Sequence, residues 1–422
     1  MPKTQETTRG VPILRGSLDD DPHLSFLKNR KTISILVAGI VLLVAFAFTR
    51  NEGASSQENL RLGVIAASVT FLSFCIAQLK DGVFVRPHPA FWRAVTASGL
   101  LYLCGLVFLL FQSQHDARQL LRNLDPELGV ELPERSYAED CRLYTPEEPV
   151  ELFGYPLPFK NIIAALDDRF VWAHFIGWWG KTLLFRDVYI CWLSSILFEI
   201  MELSLQHMLP NFAECWWDHI ILDVFGANLI GIILGGFTLR FFEMRSYDWT
   251  DSGWHSRDGV EQHGAVHKFL FWFTPRLDEL HWDWLDSWNR FTGMLLLLIL
   301  NQGSDLTAFF LKFILWVPAE HSLNIVRLLL WWAVAAPATR ELYLYCTDPN
   351  VRKMGHNLWL VVAMLTVEIL VCIKFGHAMF EDAVPPPLLK TSWLVAIAVI
   401  GSICLYKLNH NRNRAQPEKK VQ

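Results

Sequence analysis

The sequence predicts an all-α, polytopic integral membrane protein of about ten transmembrane helices, and two observations carry that prediction. About half of the 422 residues are apolar and the mean hydropathy is +0.26. Apolar runs long enough to cross a hydrocarbon core of about 30 Å, which takes about 20 helical residues, recur from Lys31 to Leu408. They fall at 32–48, 62–79, 93–112, 168–185, 187–206, 219–238, 291–316, 322–339, 356–374 and 391–407. The fourth run is the most polar, since it carries His174 and Lys181. Polar residues fill the first 30 positions, with no short apolar core before a small-residue cleavage site, so no removable signal peptide is expected. The net charge of −5, without a Lys/Arg block interleaved with aromatics, argues against nucleic acid as a partner. Cys75, Cys104, Cys191, Cys372 and Cys404 lie inside apolar runs and read as small apolar residues. No Cys-x-x-Cys pair occurs, so neither a zinc site nor a dense disulfide framework is indicated.

Charge sets the orientation. Lys and Arg near span ends mark the cytoplasmic side. With ten spans, Lys28, Arg30, Lys80, Arg86, Lys181, Arg186, Arg240, Arg245, Arg340, Lys353, Lys407 and Arg412 all fall on one side. The domain organisation expected is a cytosolic tail (1–31), a transmembrane part (32–407) and a second cytosolic tail (408–422). Within the membrane part, 113–167 forms a luminal loop and 239–290 a cytosolic one. The C-terminal Lys419-Lys420-Val421-Gln422 resembles a dilysine retrieval signal, which points to the endoplasmic reticulum membrane. Tryptophans of the loop 251–286 are expected as interfacial anchors.

The residues that bear chemistry are polar groups in lipid territory. Glu199 and Glu202 stand three apart on one helical face, extended by Ser195 and Gln206. Each buried charge costs on the order of 2.5–3.5 kcal/mol, so such groups face a cavity, a partner or an ion. Asn211, Glu214 and Asp218 follow, then Asp223 and Asn228. Oxygen donors of this kind suit Ca²⁺ or Mg²⁺ rather than zinc, a proton or cation pathway being the rival. Asp223 and Asn228 are five apart, about 140° around an ideal α-helix, so a straight helix cannot aim both at one point. Ala227, Gly231 and Gly235 form a small-residue ladder that lets another helix approach closely. His174 lies about 10 Å from Lys181 along its helix, displaced toward the acidic cluster, and is the side chain suited to proton exchange near neutral pH.

The run from Glu199-Ile-Met-Glu202 through His207-Met-Leu-Pro-Asn-Phe-Ala-Glu-Cys-Trp-Trp-Asp218 to Asp223 and Asn228 resembles the signature of eukaryotic base-exchange phosphatidylserine synthases. Flanking stretches extend the resemblance over most of the chain, among them Arg86-Pro-His-Pro-Ala90, Phe273-Thr-Pro275 and Cys372-Ile-Lys-Phe-Gly376. The resemblance implies Ca²⁺-dependent exchange of L-serine for the choline or ethanolamine of phosphatidylcholine or phosphatidylethanolamine. It also implies that His174, Glu199, Glu202, Asn211, Glu214, Asp218, Asp223 and Asn228 match the family's required polar residues. We assign His174 and Glu214 to catalysis, Glu199, Glu202, Asp218 and Asp223 to the metal, and Asn211 and Asn228 to substrate. Arg86 and His88 match a region that bears on feedback inhibition. One departure is Asp305-Leu306-Thr307, where Glu-Leu-Asn is expected. The donor and the oligomeric state stay open, a homodimer being one option. A CDP-alcohol phosphotransferase would show an Asp-Gly-x-x-Ala-Arg segment, which is absent, and a cation transporter using the same acids is the alternative from another class.

Overall fold

The computed structural model describes residues 30–49, 55–84, 87–132, 140–152, 155–167, 169–241, 282–382 and 387–418. They belong to two units, Met1–Lys80 and Asp81–Gln422. The first unit holds α1 (Arg30–Phe48) and α2 (Ser56–Gln78), the latter capped by Ser55, whose hydroxyl accepts from the Glu58 amide at 3.2 Å. Val41, Leu42, Val64 and Ile65 lie exposed on these helices, the surface of segments built for lipid rather than water.

The second unit starts with α3 (Pro89–Leu110) and α4 (Gln114–Leu124). A short antiparallel hairpin follows, β1 (Val150–Leu152) with β2 (Tyr155–Leu157), Glu151 standing opposite Pro156. Then come α5 (Lys160–Leu166), α6 (Arg169–Phe185) and α7 (Val188–Leu205). A π-helix, Asp218–Asn228, runs directly into α8 (Leu229–Phe241). The chain is completed by α9 (Trp288–Leu315), α10 (Ser322–Thr347), α11 (His356–Phe375), α12 (His377–Asp382) and α13 (Pro387–Glu418). Each of the ten apolar runs therefore contains a long helix. Eight, namely α2, α3, α7, the π-helix with α8, α9, α10, α11 and α13, are long and apolar enough to cross a membrane, and α1 and α6 are not among them. The protein is thus an all-α polytopic membrane protein.

Two packing arrangements position the polar groups. In the first, α11 is surrounded by α3, α9 and α10, and its Leu358, Met364 and Val371 are sealed from solvent. Glu368 sits among them with no exposed surface. Its carboxylate accepts from Tyr102 (2.5 Å), Thr307 (2.5 Å), Trp331 (3.0 Å) and two nitrogens of Arg327 (3.1 and 2.6 Å). A buried charge is tolerable only with this degree of pairing. In the second, α6 lies against the π-helix and α8. A methyl on Gly231 would come within 2.4 Å of the Phe175 carbonyl oxygen, and one on Gly235 within 2.6 Å of Thr182 Cβ. The small-residue ladder is packing, as its spacing indicates.

Most of the Trp-rich loop lies outside the described residues. Trp282 corrects the expectation of interfacial anchors: it is buried and donates its indole N–H to the Phe185 carbonyl at 3.2 Å, so it closes the core under α6.

Removing one member of the Arg327–Glu368 pair leaves the other uncompensated. Glu368→Gln or Arg327→Met is expected to cost about 3–5 kcal/mol, read as a fall in unfolding temperature of the detergent-solubilised protein. The double variant Arg327→Met with Glu368→Gln should lose less than the sum of the two single changes. Strict additivity would contradict the pairing.

Candidate active site

The site begins with a run of apolar helix that cannot avoid its own acids. α7 buries Ser195, Glu199 and Glu202 on one side, while Gln206, at the helix end, is exposed and does not join them. After the short turn Pro210–Phe212, where Phe212 packs on Phe309 with ring centroids 4.8 Å apart, the chain re-enters as the π-helix. Hydrogen bonds in such a helix run from residue i to i+5, so residues five apart come back to nearly the same side. Asp223 and Asn228, which an α-helix would separate, are both buried, and both meet α7 or α6.

His219 occupies the middle. Its Nδ1 lies 3.2 Å from Glu199 Oε2, 3.7 Å from Glu202 Oε2 and 3.8 Å from Glu214 Oε2. Asn228 donates from Nδ2 to Glu199 Oε1 and to Ser195 Oγ, each at 3.0 Å. From α6, His174 brings Nδ1 to 3.0 Å from Asp223 Oδ1. Three overlapping sets result, His174–Glu199–Asp223, Glu199–Glu202–His219 and Glu214–His219–Asp223, each with ligand atoms within 4.8 Å of one another. Burial, reinforced by Asp223, pushes the Glu214 carboxyl up to about 8.

A hard divalent cation fits these residues. Glu202 Oε2, His219 Nε2 and Asn228 Oδ1 are buried without a hydrogen-bond partner among the described residues, a costly state that a bound cation relieves for the oxygens. The donors are mostly carboxylate and amide oxygens, the set such ions prefer.

Six of the sequence-derived residues, His174, Glu199, Glu202, Glu214, Asp223 and Asn228, meet in one place. Asp218 opens the π-helix half-buried and belongs to none of the three sets. Asn211 stands half-buried in the 3₁₀ turn. His88 caps α3, its Nδ1 accepting from the Ala90 amide at 3.1 Å, and Arg86 lies outside the described residues. Sequence reasoning missed His219, which adjoins the named Asp218 but shows its value only once the π-helix turns it inward. It also missed the disulfide Cys141–Cys215, which ties the loop after α4 to the residue following Glu214. The signal was there: both cysteines fall in stretches assigned to the lumen, an oxidising compartment. The departure at Asp305-Leu306-Thr307 is accommodated, because Thr307 serves Glu368 and Asp305 pairs with Lys181 at 2.5 Å.

Residues 87–376 match the family model for phosphatidyl serine synthase. The chain is 42% identical over 391 residues to CDP-diacylglycerol–serine O-phosphatidyltransferase 2 of Oryza sativa subsp. japonica, covering 90% of this chain and 88% of that protein. It is 36% identical over 385 residues to phosphatidylserine synthase 2 of Danio rerio, with 90% and 82% covered, and 37% identical over 362 residues to that of Homo sapiens, with 84% and 71% covered. On a polytopic helical fold, these matches define a membrane-embedded phospholipid-synthesising enzyme. The chain belongs to the phosphatidylserine synthase family.

If Cys141 and Cys215 are joined, alkylation of the denatured protein without reductant should label six cysteines, and reduction should expose two more. Eight labelled without reductant would contradict the bond. Cys141→Ser should lower stability by about 2–5 kcal/mol.

Proposed function

We propose that this enzyme makes phosphatidylserine by Ca²⁺-dependent base exchange, replacing the choline or ethanolamine of a membrane phospholipid with L-serine. The observation that carries the reading is the convergence of His174 and His219 with Glu199, Glu202, Glu214 and Asp223 in one buried centre. Exchange breaks one phosphodiester bond and makes another, so it needs a group that removes a proton from the serine hydroxyl and returns one to the departing amino alcohol. His174 serves here: Asp223 beside Nδ1 steadies the imidazolium, leaving Nε2 to take and return the proton. Glu199, Glu202 and Asp223 hold the cation, with Glu214 and His219 beside them. Bound there, Ca²⁺ would neutralise the phosphate oxygens. Asn228 fixes Glu199 through its amide, and Asn211, in the half-buried turn between α7 and the π-helix, serves the substrate.

The disulfide supports an oxidising, luminal location for this end of the bundle. The distribution of Lys and Arg supports cytosolic tails, and the dilysine-like Lys419-Lys420 supports the endoplasmic reticulum membrane.

The name of the rice relative favours a second reading, with CDP-diacylglycerol as donor. Against it, the nearest approach to the CDP-alcohol segment, Asp81-Gly-Val-Phe-Val-Arg86, has Val for Ala and no spaced aspartates after it. Asp81 is also engaged by Arg93 at 2.6 Å.

The deciding assay supplies the purified protein with labelled serine and phosphatidylcholine, phosphatidylethanolamine or CDP-diacylglycerol, with Ca²⁺ or chelator. Serine should enter lipid from a phospholipid donor only with Ca²⁺, and His174→Ala should lose roughly 10²–10⁴-fold of the rate. An absolute need for CDP-diacylglycerol would overturn base exchange.

A further inference from the structure

Apart from the acid–histidine centre, the described residues include the interhelical ion pairs Arg327–Glu368 and Lys181–Asp305, which differ in how much capacity they have left. Arg327–Glu368 is saturated, five hydrogen bonds closing on a carboxylate with no exposed surface. Lys181–Asp305 has a single 2.5 Å contact, and each side chain keeps 19% of its surface open. An ammonium has three donors and a carboxylate accepts at both oxygens, so this pair can take a ligand without being broken.

Its position joins it to the site. Lys181 is seven residues from His174, which on an α-helix puts both on the same side of α6, two turns apart. The lysine side chain leans back toward the start of its helix, its Nζ lying 4.2 Å from the centre of the Trp178 ring, so its charge sits closer to His174 than the backbone spacing implies. Phe198, the residue before Glu199, stands 6.0 Å from the same Nζ. From α9, Asn301 donates to Ser194 Oγ at 2.8 Å and Gln302 to the Ser194 carbonyl at 2.5 Å, which anchors the helix bearing Asp305 beside the Ser195–Asn228–Glu199 chain.

Serine is ethanolamine with an added carboxylate. That carboxylate has to be accommodated beside the acids of the centre, and it is the group that serine carries and both amino alcohols lack. A cation on the His174 side of α6, leaning toward His174, with an anion to receive the ammonium, meets both demands. We propose that Lys181 binds the α-carboxylate and Asp305 the α-ammonium of L-serine, making this pair the determinant of acceptor specificity. The inference rests on serine being the acceptor, and not on which lipid is the donor.

The test uses the full-length protein in phospholipid vesicles with Ca²⁺, given L-serine, ethanolamine or L-serinamide, which keeps the hydroxyl and amine but lacks the carboxylate. Wild-type protein should use serinamide with a kcat/KM about tenfold or more below that of serine, the loss of one charge-assisted contact. Lys181→Met should raise the serine KM and lower the serine-to-ethanolamine incorporation ratio, each by about tenfold, and Lys181→Arg should restore much of the ratio. Equal use of serinamide and serine by wild-type protein overturns the inference even if Lys181→Met does not fold, and so does an unchanged ratio in that variant. Wild-type protein that puts serine into lipid from no donor overturns the functional reading itself.

Discussion

The electrostatic cost of gathering Glu199, Glu202, Glu214 and Asp223 inside a membrane bundle governs the rest of this structure. Two such carboxylates left ionised and unpaired would cost roughly 5–7 kcal/mol, comparable to the stability of a whole domain. The chain meets part of that cost with its own groups. Asn228 donates to Glu199, His219 stands among three of the acids, and His174 faces Asp223. What it leaves unmet, in Glu202 Oε2 and Asn228 Oδ1, is what the proposed divalent cation would supply. A site that is expensive empty and relieved when occupied would couple folding to the proposed ion.

The surrounding architecture makes sense as the means of holding those groups together. The π-helix brings Asp223 and Asn228 to bear together. Gly231 and Gly235 let α6 approach closely enough for His174 to meet Asp223. The disulfide fixes the segment after Glu214. Across the bundle, Glu368 gathers Tyr102, Thr307, Arg327 and Trp331 from α3, α9 and α10 onto α11. That cluster locks helices in register. The open Lys181–Asp305 pair contrasts with it, since a charge pair that serves only to join helices has no reason to keep a fifth of its surface free.

Much of this was legible in the sequence, for reasons that also define the limits. Apolar runs of spanning length have one stable backbone solution in lipid, so all ten positions contain a helix. Acids inside such runs announce themselves, which is why six of the eight sequence-derived catalytic, metal and substrate residues converge. Local winding was not legible: nothing in Asp218–Asn228 separates a π-helix from an α-helix by composition, and His219 was therefore passed over. Pairing across distant segments escaped as well. Arg327 and Glu368 are 41 residues apart, and Cys141 and Cys215 are 74 apart, spacings with no periodic trace. Asp218 opens the π-helix outside the three sets that gather round its neighbour His219.

In the proposed enzyme, a Ca²⁺ ion is held by the acids of α7 and the π-helix. Equilibrium dialysis of the purified protein against radioactive Ca²⁺ tests it directly, without reference to turnover. Wild-type protein should bind Ca²⁺ saturably, and Glu199→Gln/Glu202→Gln should lose that binding while helix content, read by circular dichroism, is kept. Binding of equal affinity in that folded double variant, or none in wild-type protein, would contradict it.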